Sequence, residues 1–306
     1  MPTEQCNFRC LYCYETFSRG EMSEETTLAV CRLITRRIEG GVRRLNIQWF
    51  GGEPLLSFGV INNIMSHAQK EIQSVNGFLS GTMTTNGSLL TLERMRSLLK
   101  LGVNKFQITL DGSKEDHDRT RISRNGGKTF SKIIENLINA SSTSESFSIT
   151  IRIHITNNNI DNIVPFARYL KNQFSEDTRF SFFVREVSEL GGEKGLHGLS
   201  PEKNEARAKL NIINEILNPT KVSETAAQNV SEQKPLECCY ASLPVSLVVR
   251  SNGELSKCTV QLENDNNRLG WLKSDGTIDI DAEKLSFWTR GLLTGSRNTL
   301  RCPAQQ

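Results

Sequence analysis

CNFRCLYCYE, residues 6–15, sets Cys6, Cys10 and Cys13 with three and then two residues between them, and Tyr12 stands directly ahead of the third cysteine. Three thiolates can hold three irons of a cubane four-iron four-sulfur cluster and leave the fourth iron open to an exogenous ligand, whereas a structural cluster or a zinc site normally closes with four protein ligands. An open iron implies a reactive cluster. The alternatives for this trio are a buried, redox-inert set of thiols or part of a zinc site.

Composition sets wider bounds. A chain of 306 residues with 37% hydrophobic side chains is long enough for one large α/β domain and a smaller one. Its net charge of +3 comes from scattered Lys and Arg, so no phosphate track for nucleic acid is expected. No run of eighteen apolar residues occurs and no signal peptide precedes the cysteine loop, so no membrane partner and a cytoplasmic location are expected. In that reducing compartment the eight cysteines read better as metal ligands than as disulfides.

Apolar β-prone runs at Leu45–Phe50, Leu79–Thr84, Phe106–Leu110, Phe147–Ile155 and Arg179–Val184 alternate with helical patterns at Glu24–Glu39, Ile61–Ser74, Leu92–Leu101, Ser131–Ala140 and Ile160–Phe174. Such a series predicts an α/β fold with a parallel sheet and right-handed crossovers, a partial TIM-like (β/α)6 barrel. The first strand would have to lie in Met1–Gln5, too short a stretch, which predicts a chain clipped ahead of it. Functional side chains of such barrels gather on loops at the C-terminal ends of the strands. There stand Gly51, Gly52, Glu53 and Pro54, after the strand LNIQWF. Two glycines let a backbone approach a ligand closely, and Glu53 can accept from a cationic amine. A plain Gly-Gly turn is the alternative.

The cysteine trio, Tyr12 and the later GGEP together resemble the radical S-adenosylmethionine (radical SAM) superfamily. The resemblance implies that Cys6, Cys10 and Cys13 hold the 4Fe-4S cluster. It also implies that the open iron chelates S-adenosylmethionine, and that an electron from the cluster breaks the sulfonium bond to give a 5′-deoxyadenosyl radical, which takes a substrate hydrogen. The protein's share is positioning and exclusion of water. Residues 85–87, TNG, place Asn86 as the similar element beside the cofactor does, or as an ordinary Asn-Gly turn. In KFQITLDG, Gln107, Thr109 and Asp111 share one face, and the similar TLDG element implies that Thr109 and Asp111 lie near the ribose. His117–Arg121, HDRTR, resembles the family's HD-x-x-R stretch, with His117 more structural than catalytic. In SITIRIHI, Thr150, Arg152 and His154 share a face, and Arg152 either meets the cofactor carboxylate or points to the surface. Cys31, amphipathically placed beside Leu28 and Ile34, reads as core.

Between Glu186 and Glu237 the chain turns polar, which predicts a partial barrel over 1–185, a linker with one helix (Pro201–Leu217) over 186–237, and a small domain over 238–306. The last part has Cys239, Gly253 and Cys258 in CCYASLPVSLVVRSNGELSKC, where a β-hairpin would bring two thiols to one end. This resembles the start of a SPASM or twitch domain, found in radical SAM enzymes that modify peptides and proteins. It implies an auxiliary Fe-S cluster with Cys239, Cys258 and Cys302 as ligands, on a chain expected to be C-terminally incomplete. Cys238 supplies a fourth thiol on paper, but adjacent cysteines seldom ligate one ion together. The implied activity is hydrogen abstraction from a peptide or protein partner to form a crosslink, thioether or oxidised residue, with a flavodoxin or ferredoxin as electron donor. An anaerobic sulfatase-maturating enzyme is the alternative. Against it, Thr259 follows Cys258 where those maturases carry an aspartate base. A truncated, inactive peptide-binding scaffold is the alternative outside enzymes.

Overall fold

The computed structural model describes residues 1–188, 195, 196, 198–218 and 238–304. After the cysteine loop comes α1 (Glu24–Glu39), whose start is fixed by Ser23, the side chain of which accepts from the Thr26 N–H. Five strands follow, β1 (Arg44–Trp49), β2 (Phe78–Thr85), β3 (Val103–Leu110), β4 (Ser148–Ile155) and β5 (Phe180–Glu186), paired in parallel in that order. The connecting helices are α2 (Phe58–Ser74), α3 (Leu92–Lys100), α4 (Lys114–Thr120), α5 (Phe130–Ser141) and α6 (Ile163–Phe174), and α7 (Lys203–Leu217) comes after β5.

The strand positions alternate in chemistry, and this makes the site. Trp49, Met83, Phe106, Ile108, Ile149, Ile151, Ile153, Phe182 and Val184 are buried on one face, against helix residues such as Ile61, Met65, Leu98, Ile133, Ile163 and Leu170. The register sets Gln48 beside Thr82, Thr84 beside Gln107, Thr109 beside Arg152 and His154 beside Arg185, so the opposite face is mostly polar, with Phe183 beside Arg152 an apolar exception. That is half of an α/β barrel, its inner face left wet instead of filled with apolar layers.

Residues 1–5 form no strand. Thr3 makes an isolated bridge to Glu21, and the Gln5 carbonyl accepts from the Glu53 N–H at 2.9 Å. This segment passes so near the turn after β1 that a Cβ on Gly51 would stand 2.2 Å from the Thr3 carbonyl oxygen, and one on Gly52 2.4 Å from that of Gln5. The two glycines therefore make room for the protein's own chain on that side. A second difference concerns α7, expected within a linker. Its Ile213 and Leu217 join the main core, so it covers β5 as the last helix of the barrel layer. Of that linker, residues 189–194, 197 and 219–237 lie outside the described residues.

The C-terminal part is an antiparallel sheet of β6 (Val248–Val249), β7 (Glu254–Ser256), β8 (Gly270–Leu272) and β9 (Ile278–Ile280), in that order, with α8 (Ala282–Thr294) and α9 (Arg297–Arg301). Leu255, Leu269, Ala241 and Trp288 form its own small core. It is tied to the start of the chain by Arg250, fully buried, which gives Nε and Nη2 to the two carboxylate oxygens of Glu4 at 2.9 and 2.7 Å and Nη1 to Glu254 at 3.2 Å. Arg19, which closes the cysteine loop, also reaches Glu254 at 3.0 Å. No helix among the described residues is long and apolar enough to cross a membrane.

Candidate active site

Each expected residue at the strand ends can now be placed. Glu53 is completely buried: one oxygen accepts from the Leu55 N–H (3.0 Å) and the Thr85 hydroxyl (2.7 Å), the other from the Asn86 N–H (2.7 Å). Burial lifts its carboxyl above the ordinary range, and these bonds pull the other way. Its carboxylate thus joins two strand-end turns. Pro54 is also buried, at the start of a short 3-10 turn. Asn86 carries the link onward, donating to Asn7 Oδ1 at 2.8 Å, and its amide lies 3.9 Å from the Cys6 sulfur. The TNG turn therefore holds the cysteine loop through Asn7, a residue whose role spacing alone does not reveal.

The three cysteines of that loop stand as near neighbours. Burial, with a smaller push from the neighbouring Cys10, lifts the Cys6 and Cys13 thiols to about 12. Thiols so placed do not ionise together unaided, and cationic irons supply what the protein lacks. The Phe8 N–H already points at the Cys6 sulfur, 3.3 Å away. Among the described residues no three His, Cys, Asp or Glu side chains stand round one point as ligands of a single ion. A cubane does not require that, because each thiolate takes a different iron. The donor set therefore fits a three-cysteine 4Fe-4S cluster.

Across from the thiols lies a compact polar knot. Tyr12 donates its hydroxyl to Asp111 Oδ2 at 2.7 Å and accepts from Arg121 Nη1 at 2.7 Å; Thr120 donates to the same Asp111 oxygen at 2.8 Å. Asp111 is fully buried. Burial would raise its carboxyl, but His154 and the charge of Arg121 outweigh it and hold the group below the usual range. His154 packs edge-on to Tyr12, ring centroids 5.2 Å apart, with Nδ1 at 3.5 Å from Asp111 Oδ1. That separation is too loose for a hydrogen bond, and both atoms are buried without a partner. His117 is structural, as expected: its ring accepts from the Asp111 N–H and meets the Thr129 hydroxyl, and burial lowers it to about 4. Thr109 is buried next to Arg152, which is half-buried, its Nε without an acceptor.

Two residues of this knot stand apart from the expected binding set: Arg121, which ends the HDRTR stretch, and His154, on the same strand face as Arg152. The signal for both is present, as a motif and as a period of two. Cys31 is core, as expected.

The second cysteine group also converges. The Cys239 N–H donates to the Leu300 carbonyl at 2.8 Å, which draws α9 and Cys302 toward it. Burial raises the Cys239 thiol, followed by the neighbouring Cys258, Cys302 and Cys238. Tyr240 bonds the Thr259 hydroxyl at 2.7 Å, and Tyr14, next to Cys13, donates to the Thr259 carbonyl at 3.1 Å. The two cysteine sites therefore touch through Tyr14.

A parallel half-barrel with a three-thiol loop and a polar inner face defines an enzyme built to hold an iron-sulfur cluster and a polar cofactor at the strand ends. Residues 1–170 match the Radical SAM superfamily. The chain belongs to that superfamily, whose enzymes use a 4Fe-4S cluster and S-adenosylmethionine. It is 23% identical over 259 residues to an uncharacterized protein of Methanocaldococcus jannaschii, covering 84% of this chain and 82% of that one. It is 33% identical over 142 residues to the GTP 3',8-cyclase of Petrotoga mobilis, but that match covers 44% of this chain and only 39% of the cyclase. Among solved structures, native anSMEcpe with bound AdoMet and the Kp18Cys peptide has the same fold, with a TM-score of 0.68 and 21% identity over 93% of this chain and 78% of that one.

Proposed function

We propose that this radical SAM enzyme removes a hydrogen atom from a peptide or protein lying along the polar face of the sheet, in a maturation reaction that leaves a crosslink, a thioether or an oxidised residue. The observation that carries this reading is the open face itself: a mostly polar wall, ending at the cysteine loop, suits an extended substrate better than a closed pocket does. The fold likeness to a peptide-bound structure over 93% of the chain supports it further. Cys6, Cys10 and Cys13 would hold the cluster. When bound, the cluster and S-adenosylmethionine supply the one-electron chemistry that takes a substrate hydrogen. Arg152 would meet the cofactor carboxylate, and Thr109 and Asp111 the ribose side. Tyr12 and Arg121 hold Asp111 in place, while Gly51, Gly52, Glu53, Pro54 and Asn86 act by fixing the loops that carry the thiols. Cys239, Cys258 and Cys302 would form an auxiliary Fe-S site, and a flavodoxin or ferredoxin would deliver the electron.

Sulfatase maturation is less favoured. Thr259, where a base would be needed, spends its hydroxyl on Tyr240 and its carbonyl on Tyr14.

The test uses anaerobically reconstituted protein with dithionite, S-adenosylmethionine and a random dodecapeptide library. Formation of 5′-deoxyadenosine should accompany a mass change in a subset of peptides, and the triple variant Cys6→Ala, Cys10→Ala, Cys13→Ala should lose both. No mass change in any peptide, with GTP consumed in a parallel incubation that contains it, would overturn the peptide reading.

A further inference from the structure

Among the described residues, the polar face carries more positive charge than its neighbours neutralise. Arg152 and Arg185 lie near the C-terminal ends of β4 and β5, where the register pairs Arg152 with Phe183 and His154 with Arg185. Alternation sets these four side chains on one face, the face that meets the cysteine loop through the contact of His154 with Tyr12. Among the described residues neither guanidinium forms an ion pair. Arg185 bonds only neutral oxygens, the Ser188 hydroxyl at 2.9 Å and the Glu186 carbonyl at 3.3 Å. The nearby acid on this face, Asp111, is fully buried, with one oxygen taken by Tyr12 and Thr120 and the other nearest His154 Nδ1 at 3.5 Å, and it pairs with neither guanidinium. Two cations on a half-buried wall repel one another, and Arg185 does lower Arg152, after the larger effect of burial. Such an arrangement is relieved when a bound anion supplies the missing charge. Phe183, 48% exposed two residues before Arg185, adds an apolar contact to the same wall.

We infer that Arg185 recognises a carboxylate of the substrate, so that the peptide carries an acidic residue next to an apolar one, while Arg152 is left to the cofactor. The inference rests on the peptide reading above and names its substrate class. A guanidinium takes a carboxylate through two parallel bonds, a geometry that lysine does not reproduce.

The experiment is fluorescence anisotropy on reconstituted enzyme saturated with S-adenosylmethionine. The probes are a fluorescein-labelled Gly-Ser decapeptide containing Leu-Glu-Glu and its Leu-Gln-Gln counterpart. The wild type should bind the Glu peptide about tenfold or more tightly than the Gln peptide. Arg185→Gln should bring that preference close to one, and its calorimetric affinity for S-adenosylmethionine should match the wild type. Arg185→Lys, which keeps the charge, should fall in between and guards against a Gln variant that does not fold. Equal binding of both peptides by the wild type would overturn the inference and leave the peptide reading standing. Weaker cofactor binding by Arg185→Gln would assign Arg185 to the cofactor and overturn it as well. Binding of neither peptide would remove the peptide reading and the inference with it.

Discussion

Replacing Arg250 by Met tests whether the clamp between the C-terminal sheet and the start of the chain steadies the cysteine loop. The guanidinium is fully buried and holds both oxygens of Glu4, which is itself 2% exposed. Removing one partner of such a pair strands the other charge, at about 3–5 kcal/mol. The lower end applies here, because Glu254 keeps Arg19 at 3.0 Å while Glu4 retains Arg19 only at 3.5 Å. A loss of about 3 kcal/mol corresponds to roughly 5 °C in melting temperature for a chain of this size. The assay is thermal denaturation of the reconstituted protein, together with amide hydrogen exchange over residues 1–22, which should quicken in the variant. The double variant Glu4→Gln, Arg250→Met removes the stranded charge and should recover at least half of the loss. A melting temperature within about 1 °C of the wild type, with exchange unchanged, would show that the buried pair does not steady this segment.

Glu53→Gln should cost about 1–3 kcal/mol of stability, since an amide N–H must then face one of the three donors that the carboxylate accepts. Urea denaturation measures it, and iron content should fall too, because Asn86 no longer positions Asn7. Cys258→Ser should reduce bound iron by about four atoms per chain and lower peptide turnover, as read by Mössbauer spectroscopy and mass spectrometry. An unchanged iron content in that variant would leave Cys258 a structural residue of the hairpin.

The parallel strands and most of their helices were legible because each strand is an apolar run with β-branched residues, and each helix has a 3.6-residue stripe. Glu24–Glu39 is matched end to end. Two kinds of information were not legible. Tertiary approach was one: Gly51 and Gly52 read as room for a ligand, whereas the close neighbour is Thr3 or Gln5, a contact between segments distant in sequence. Saturation of polar groups was the other. Glu53 reads as a free acceptor in the sequence, whereas Leu55, Thr85 and Asn86 already take three of its bonds. The helix is legible as Pro201–Leu217, where the structure has Lys203–Leu217, yet its place on β5 is hidden by the polar composition around it.

The wet inner face has one more consequence, for how such a protein can change over time. Along each central strand, alternate positions answer to different demands: one set fills the helix-covered core, and the next lines the polar face, where the proposed cofactor and substrate would lie. On the proposed function, a replacement at Gln107, Thr150 or Arg185 should alter selectivity with little effect on folding, whereas the buried Ile108, Ile151 and Val184 permit almost none. Selectivity and persistence of the fold would then be written in the same five strands on opposite faces, so that single steps on the polar face could reach new substrates.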